Sequence, residues 1–224
     1  MIGSEPVGKR RNVRRAPDEV RALALKAAHR LFSAQGYHAT TTRQIADEAG
    51  VGESVIFRHF GSKAELFETT ILTPFGEFVD EWVTTWDART TATADLVHIT
   101  ETFVKGFFNL ADEHQELLRT LVAARIDRSD PGLTEVAARV GGKLAGHLGL
   151  VRRSLLEHGE ARHFRNLDAP VSVAMAVGSV LSLVLIDDWL FAPDQRRPGK
   201  TRQIREATQM LLYGVTGSAA PRSH

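Results

Sequence analysis

The sequence contains no cysteine and no sustained strand pattern. Without cysteine the chain has neither disulfides nor thiolate metal ligands, and we expect a reducing compartment, the cytoplasm. No alternating apolar–polar run is bounded by turn residues, so a sheet is not predicted. The basic stretch at residues 9–15 leads into charged sequence and not into an apolar segment, which argues against a secretory signal peptide.

Motifs of common catalytic and metal sites are also missing. Gly199-Lys200-Thr201 ends like a phosphate-binding loop, but Asp194 stands where the first glycine belongs and no strand precedes it. The nine histidines show no His-x-x-x-His or His-Glu-x-x-His spacing, and there is no Gly-x-Ser-x-Gly elbow. We therefore expect no enzyme, no catalytic residues, no metal ligands and no cofactor.

Charge is distributed unevenly along the chain, although the formal net charge is only +1. Residues 1–63 carry 11 Lys and Arg against 6 Asp and Glu, and the remainder carries 17 against 21. A basic head on a mildly acidic body is what a phosphate-binding module joined to a second unit would show.

Helical periodicity dominates the sequence and predicts an all-α protein. Thr41 with Gln44, and Ser62 with Glu65, have capping-box spacing, and Gly36 and Gly50 are expected to end helices. Pro74 predicts a kink or break near Thr73. The predicted helices cover residues 17–35, 41–50, 53–59, 62–86, 92–112, 114–127, 133–158, 169–191 and 200–215.

Residues 41–60 read as a helix-turn-helix, because two short helices flank the tight turn Ala49-Gly50-Val51-Gly52. The outward positions of the second helix are Ser54, Val55, Arg58 and His59. The residues expected to pack this pair against the first helix are Ile45, Ala49, Val51, Ile56 and Phe60, facing Leu31 and Phe32.

A nearly continuous set of motifs runs through this region: Ala27-Ala28, Leu31-Phe32, Gly36-Tyr37, Thr40-Thr41-Thr42, Ile45-Ala46, Ala49-Gly50-Val51, the run from Phe57 to Lys63, and Leu66. In these motifs the region resembles the DNA-binding domain of the TetR family. The resemblance implies a helix-turn-helix domain at 17–67 and a helical ligand-binding and dimerisation domain at 68–217. The polar, basic residues 1–16 are expected to form a flexible arm, and residues 218–224 a tail.

The resemblance implies a DNA role for each matching position. Thr41, Thr42 and Arg43 begin the second helix, where free N–H groups favour a phosphate. Ser54 and Val55 face base edges. The remaining DNA-binding residues are expected to be Phe57, Arg58, His59 and Lys63.

Three residues depart from the family pattern and predict weaker DNA binding. Phe57 lacks the hydroxyl of the usual tyrosine, and Gly52 cannot cap the recognition helix with a side chain. Glu53 repels phosphates unless it accepts from a cytosine amino group. The basic arm either compensates by entering the minor groove or is a disordered, solubilising tail.

The body is expected to form a homodimer through the last two helices. Residues 169–191 are apolar on nearly every side and must be buried on every side, yet the run of about 17 residues is marginal for a membrane span. No membrane association is therefore expected. The final helix carries a stripe expected to join the same interface: Ile204, Ala207, Thr208, Leu211 and Val215.

A small-molecule effector site is expected in the body, lined by Phe78, Trp82, Phe103, Phe107 and Arg125. The alternative for the aromatic residues is ordinary core packing. The combined hypothesis is a ligand-responsive regulator, a repressor, that binds a pseudo-palindromic operator on double-stranded DNA as a dimer and is released by a largely apolar ligand. The rival hypothesis is a dimeric small-molecule- or protein-binding module with weakened DNA binding.

Overall fold

The computed structural model describes residues 16–87, 93–161, 168–192, 194 and 196–216. Within those ranges the chain is helical and contains no strand, which confirms the all-α prediction. The predicted arm up to residue 15, most of the loop before Asp168 and the tail at 218–224 lie outside the described residues. The helices are α1 Pro17–Ala39, α2 Thr42–Ala49, α3 Glu53–Phe60, α4 Lys63–Asp87, α5 Thr93–Glu113, α6 Gln115–Asp127, α7 Pro131–Ala161, α8 Ala169–Leu185, α9 Asp187–Leu190 and α10 Lys200–Thr216.

The local signals predicted the ends of the first helices well. Thr41 and Gln44 form the reciprocal capping box at the start of α2, and Gly50 ends that helix in the left-handed conformation. Ser62 accepts from the backbone N–H of Glu65 at 3.1 Å. At Gly36 (φ 78°) the backbone leaves helical geometry, although the helical assignment of α1 resumes up to Ala39.

Helix α4 is continuous across Pro74, so of the predicted kink or break near Thr73 the break does not occur. A proline removes one backbone donor and crowds the preceding turn, but packing can hold the helix together. Here α4 packs along α7, and at Gly76 the two helices approach so closely that a Cβ would lie 2.9 Å from Nε2 of His147. The close contact with α7 offsets the local cost of the proline.

Two hydrophobic cores divide the described helices. Core one contains side chains of α1, α2, α3 and the start of α4, together with α6 and the first half of α7. Core two joins the remainder of α4 with α5, α8, α10 and the second half of α7. Leu118 and Leu144 pack against both cores and mark the boundary between them.

The C-terminal helices differ from the prediction in two respects. Helix α8 ends at Leu185 and is followed by the one-turn helix α9, so 169–191 is not one helix. Three residues of the predicted α10 stripe, Ile204, Ala207 and Thr208, are buried within the single chain, where α10 packs on α5 and α8. These three side chains therefore contribute to the chain's own core and do not face outward.

The outer face of α8 remains exposed in the single chain. Val171 and Met175 expose 51% and 62% of their surface, and Met210 on neighbouring α10 exposes 55%. Large apolar side chains grouped on two adjacent helices are unusual on a monomer surface. No helix in the described part is both long and apolar enough to cross a membrane.

Candidate nucleic-acid interface and ligand cavities

Helices α2 and α3 form the predicted helix-turn-helix on a buried base. Ile45, Ile56 and Phe60 are at most 6% exposed and belong to the same core as Phe32 of α1. The ring of Phe32 contacts Phe67 of α4 edge-on at 5.0 Å, which fixes the three-helix unit on the start of α4. The predicted packing of this head is confirmed.

The outer face of α3 presents a short polar and aromatic surface. Ser54, Phe57 and Arg58 are exposed, and their spacing of three and four places them on one face of the helix. Phe57 exposes 47% of its surface, although it is a large aromatic residue. Val55 and His59 are half-buried at the edge of this face.

The start of α2 lies beside the start of α3. Thr41 is committed to the capping box, Arg43 is exposed, and Thr42 donates from Oγ1 to Oε1 of Glu53 at 2.6 Å. The carboxylate of Glu53 therefore lies at the N-terminal end of α2, the place where a helix dipole attracts an anion. The sequence predicts that Glu53 repels phosphates unless it accepts from a cytosine amino group, but it does not locate the carboxylate.

The ammonium group of Lys63 makes hydrogen bonds within the chain. Its Nζ donates to the carbonyl oxygens of Tyr37 at 3.0 Å and Thr40 at 3.1 Å, and lies 4.2 Å from the centre of the Tyr37 ring. Burial lowers the pKa of Lys63, and the nearby Asp130 carboxylate opposes that shift. Lys63 thus ties the end of α1 to α4, and a phosphate would have to share an ammonium that already makes two hydrogen bonds.

A buried ionic cluster, which the sequence reading missed, fastens α4 to α7. The carboxylate of Glu68 is only 6% exposed and receives hydrogen bonds from Arg139, at 3.1 Å, and from Lys143. Burial alone would raise the pKa of Glu68, but the hydrogen bonds and charges of Lys143 and Arg139 outweigh it and lower the pKa. The only sequence signal was an acid within an apolar stretch and two bases spaced four residues apart.

Cavity A lies inside core two and has a volume of about 80 Å³. Its wall is almost entirely apolar, with Thr100 and Ser172 the polar residues among those that line it. The indole Nε1 of Trp82 donates to the carbonyl of Ile99 at 3.1 Å, which fixes one side of the wall. The lining residues are Trp82, Trp86, Ile99, Thr100, Phe103, Val151, Leu155, Ser172, Val173, Ala176, Leu211 and Leu212.

Cavity B, of about 70 Å³, lies at the boundary between the two cores. Four helices line both cavities: α4, α5, α7 and α8. On α4 the residues that line the two cavities are centred 11 positions apart, which corresponds to roughly 16 Å along the helix. The lining residues of cavity B are Ile71, Phe75, Phe107, Leu110, Ala111, His114, Leu118, Leu144, Leu148, Val177 and Leu181.

Three phenylalanines of α4 and α5 pack on one another, and two of them line the cavities. Phe103 lines cavity A and Phe107 lines cavity B, and their stacked rings are 6.0 Å apart. The ring of Phe78 lies 5.7 Å from Phe103 and 6.4 Å from Phe107. Gly106 makes room for it, because a Cβ at this position would overlap the Phe78 ring.

The structure brings together four of the five residues predicted for the ligand site. Trp82 and Phe103 line cavity A, Phe107 lines cavity B, and Phe78 packs on both phenylalanines. Arg125 is the exception, because it is exposed on α6 and lines neither cavity. No group of three or more His, Asp or Glu side chains suited to a metal ion occurs among the described residues.

Comparison with known proteins identifies the head. A family model described as bacterial regulatory proteins, tetR family, matches residues 24–70, the segment that forms the helix-turn-helix unit. Residues 24–70 thus match the DNA-binding domain of the TetR family, and the curated and structural neighbours of the chain are TetR-family transcriptional regulators. The sequence resemblance to this family is thereby confirmed.

Two curated proteins illustrate the sequence similarity of this chain. The transcriptional activator FasR of Mycolicibacterium smegmatis is 28% identical over 186 residues, covering 76% of this chain and 83% of FasR. The nucleoid occlusion factor SlmA of Vibrio vulnificus is 36% identical over 81 residues, but only 36% of this chain and 34% of SlmA are covered.

Solved structures extend the likeness to the whole fold. The fatty acid degradation regulator FadR of Bacillus halodurans matches with a TM-score of 0.64 and 22% identity, covering 86% of this chain and 98% of FadR. FadR of Bacillus subtilis, solved in complex with stearoyl-CoA, matches with a TM-score of 0.63 and 17% identity, covering 88% and 99% of the two chains. At these identities the likeness shows the fold.

Proposed function

We propose that this TetR-family chain is an effector-responsive regulator that binds a pseudo-palindromic operator as a homodimer and leaves DNA when an elongated apolar ligand occupies its body. The observation that carries the proposal is the pair of apolar cavities in line within one helix bundle, joined through α4 to the helix-turn-helix head. Release from an operator that overlaps a promoter makes the protein a repressor.

The DNA contacts are proposed for the exposed face of α3 and the start of α2. Arg58 is long and charged enough to reach either a guanine edge or a phosphate, while Ser54 and Val55 face base edges. Phe57 packs on the sugar, and His59 and Arg43 contact phosphates. Thr41, Thr42 and Lys63 remain part of the proposed interface, with Lys63 limited by its two hydrogen bonds inside the chain.

The homodimer is proposed to form through the outer faces of α8 and α10. Val171 and Met175 on α8 and Met210 on α10 are the large exposed apolar side chains of this surface. Two helices from each subunit would make a four-helix bundle that covers them. A two-fold axis through that bundle directs the two α3 helices to successive major grooves.

The effector is proposed to be a long-chain acyl compound. The walls of both cavities are apolar, they follow one another along the bundle, and a fold neighbour is solved with stearoyl-CoA. Volumes of about 80 and 70 Å³ hold a few water molecules each, so an acyl chain must displace the Phe103 and Phe107 rings and join the cavities. Binding energy spent on this opening biases the conformation of the body.

The first test is selection of binding sites from random duplex DNA by the purified protein, followed by titration at several salt concentrations. We expect a pseudo-palindrome, tighter binding than to scrambled DNA, and a slope of log affinity against log salt steeper than −4, since each phosphate contributes roughly −0.9. Weak binding that is indifferent to sequence would reject the regulator and favour the rival binding module. A single half-site would reject the dimer.

The second test measures stearoyl-CoA binding by tryptophan fluorescence, because Trp82 and Trp86 line cavity A. We expect Thr100→Phe, which fills cavity A from α5, to weaken binding at least tenfold. Thr102→Phe is the matched control, since Thr102 is exposed on the same helix. Free coenzyme A should bind poorly to the wild type. Equal affinity of both variants for stearoyl-CoA would place the ligand elsewhere.

A further inference from the structure

Two histidines from different parts of the fold touch at the boundary between the cores. His29 lies on α1, and His114 lies in the corner between α5 and α6; their ring centres are 4.5 Å apart. Nε2 of His29 is 3.1 Å from the carbonyl oxygen of Glu113, and Nδ1 of His114 is 3.0 Å from that of Leu110. Both rings are therefore held by the last turn of α5.

His114 is also part of the wall of cavity B. It is 7% exposed and is the one polar residue among those that line this cavity. Burial, followed by the neighbouring His29, lowers the pKa of His114, so the ring is neutral at pH 7. An uncharged ring that fills space between a cavity and a second helix can shift with the content of the cavity.

We propose that His114 is a positioning residue that transmits the occupancy of cavity B to the DNA-binding head through His29. The proposal rests on the proposed function in that cavity B receives part of the effector. Interiors are close-packed, so a group entering the cavity beside His114 must move that ring or its neighbours. The ring next to it belongs to α1, the helix on which Ile45, Ile56 and Phe60 pack.

Helix α4, a second connection between body and head, is restrained near the head. Helix α4 is tied to α7 through Glu68, Arg139 and Lys143. Glu68 lies three residues before Ile71 and seven before Phe75, the α4 side chains that line cavity B. A shift of α4 at this level would strain a buried ionic cluster. The contact between His29 and His114 is held by hydrogen bonds to the last turn of α5 and not by an ionic cluster, which favours transmission through α1.

The test fills cavity B by substitution, so that no effector is needed. Ala111 lines the cavity and is 1% exposed, and Ala111→Leu extends its side chain into the space that a ligand would take. The readout is amide hydrogen exchange of α1 to α3 in the full chain. We expect exchange there to rise at least threefold in Ala111→Leu, with a smaller rise in Ala111→Val, which is the safer variant if leucine impairs folding.

A double-mutant cycle then isolates the histidine contact. In the His29→Ala background, Ala111→Leu is expected to change head exchange by less than 1.5-fold. Lys26→Ala, an exposed position one turn earlier on α1, is the matched control and should leave the threefold response intact. A full response in His29→Ala, or no response of the head to either Ala111 variant, would overturn the proposal.

A further experiment with stearoyl-CoA tests the role of His114 separately from the identity of the effector. Stearoyl-CoA is expected to raise head exchange in the wild type and not in His29→Ala, with its affinity for the two proteins within about threefold. If stearoyl-CoA does not bind but the Ala111 cycle behaves as expected, the acyl effector is rejected and the role of His114 stands. If stearoyl-CoA raises head exchange equally in both proteins, the role of His114 falls and the effector stands.

Discussion

Removing both basic partners of Glu68 is expected to destabilise the protein by about 3 kcal/mol at pH 7, since an unpaired buried carboxylate is costly. The variant is Arg139→Met with Lys143→Met, which keeps apolar stems on α7 while deleting both charges. Glu68 is 6% exposed, so water cannot replace the lost hydrogen bonds without opening the contact between α4 and α7. Urea denaturation of the full chain measures the change.

The pH dependence of stability provides a second test of this prediction. In the wild type the pKa of Glu68 is lowered, so the ionised carboxylate stabilises the fold at pH values above the ordinary glutamate pKa of about 4.3. This stabilisation is lost as the pH falls through the pKa of the folded state. In the variant, burial raises the pKa, so protonation relieves the cost as pH falls. The stability gap between the two proteins should therefore narrow from pH 7 towards pH 4.

Two controls accompany the double variant. Adding Glu68→Gln to it should recover much of the lost stability, because a neutral amide costs less to bury than a carboxylate. Arg205→Met, which breaks the exposed pair with Glu206 on α10, should change stability little. A double variant as stable as the wild type at pH 7 would show that Glu68 is solvated in solution.

Glu53→Gln is expected to tighten DNA binding about 30-fold, at roughly 1 kcal/mol for each of two heads. Glu53 accepts from Thr42 at 2.6 Å and holds a negative charge at the start of α2, where a DNA phosphate is proposed to bind. Glutamine keeps an oxygen for the Thr42 hydroxyl and removes the charge. Fluorescence anisotropy on the selected operator and on scrambled duplex measures the effect.

The salt dependence separates two roles for Glu53. Loss of a repelling charge should strengthen binding to both duplexes and steepen the salt slope. If Glu53 instead accepts from a cytosine amino group, Glu53→Gln weakens operator binding while it strengthens binding to scrambled DNA. Glu77→Gln, an exposed acid on α4, is the control and should alter neither affinity.

Features encoded within a few residues could be predicted from the sequence. Three such features are the capping box at Thr41, the left-handed Gly50 and the buried face of α2 and α3. Each depends on side chains that lie within about two helical turns of one another. The continuity of α4 across Pro74 could not be predicted in this way, because the local cost of the proline is offset by packing on α7, which lies far away in the chain. Local chemistry predicts boundaries, while tertiary packing decides whether a helix survives them.

The candidate sites were predictable in the same uneven way. The aromatic residues of α4 and α5 pointed to the cavities because their helical spacing places them on inner faces. Arg125 does not lie at a cavity, because a charged residue in a largely apolar helix can lie on the outer face of that helix. The Glu68 cluster joins residues 71 and 75 positions apart, and His29 meets His114 across 85 positions, so a single sequence offers no signal for either pairing.

The shared packing of core one bears on how such regulators can be recombined. Ala24, Ala28 and Phe32 of the head pack in one cluster with Leu117, Leu121 and Val136, among others, of α6 and α7. A chimera that exchanges residues 17–67 alone would press a foreign surface against these side chains. An interchangeable recognition cassette from this protein must therefore carry α6 and the first half of α7 with it, so the natural unit of exchange is discontinuous in sequence.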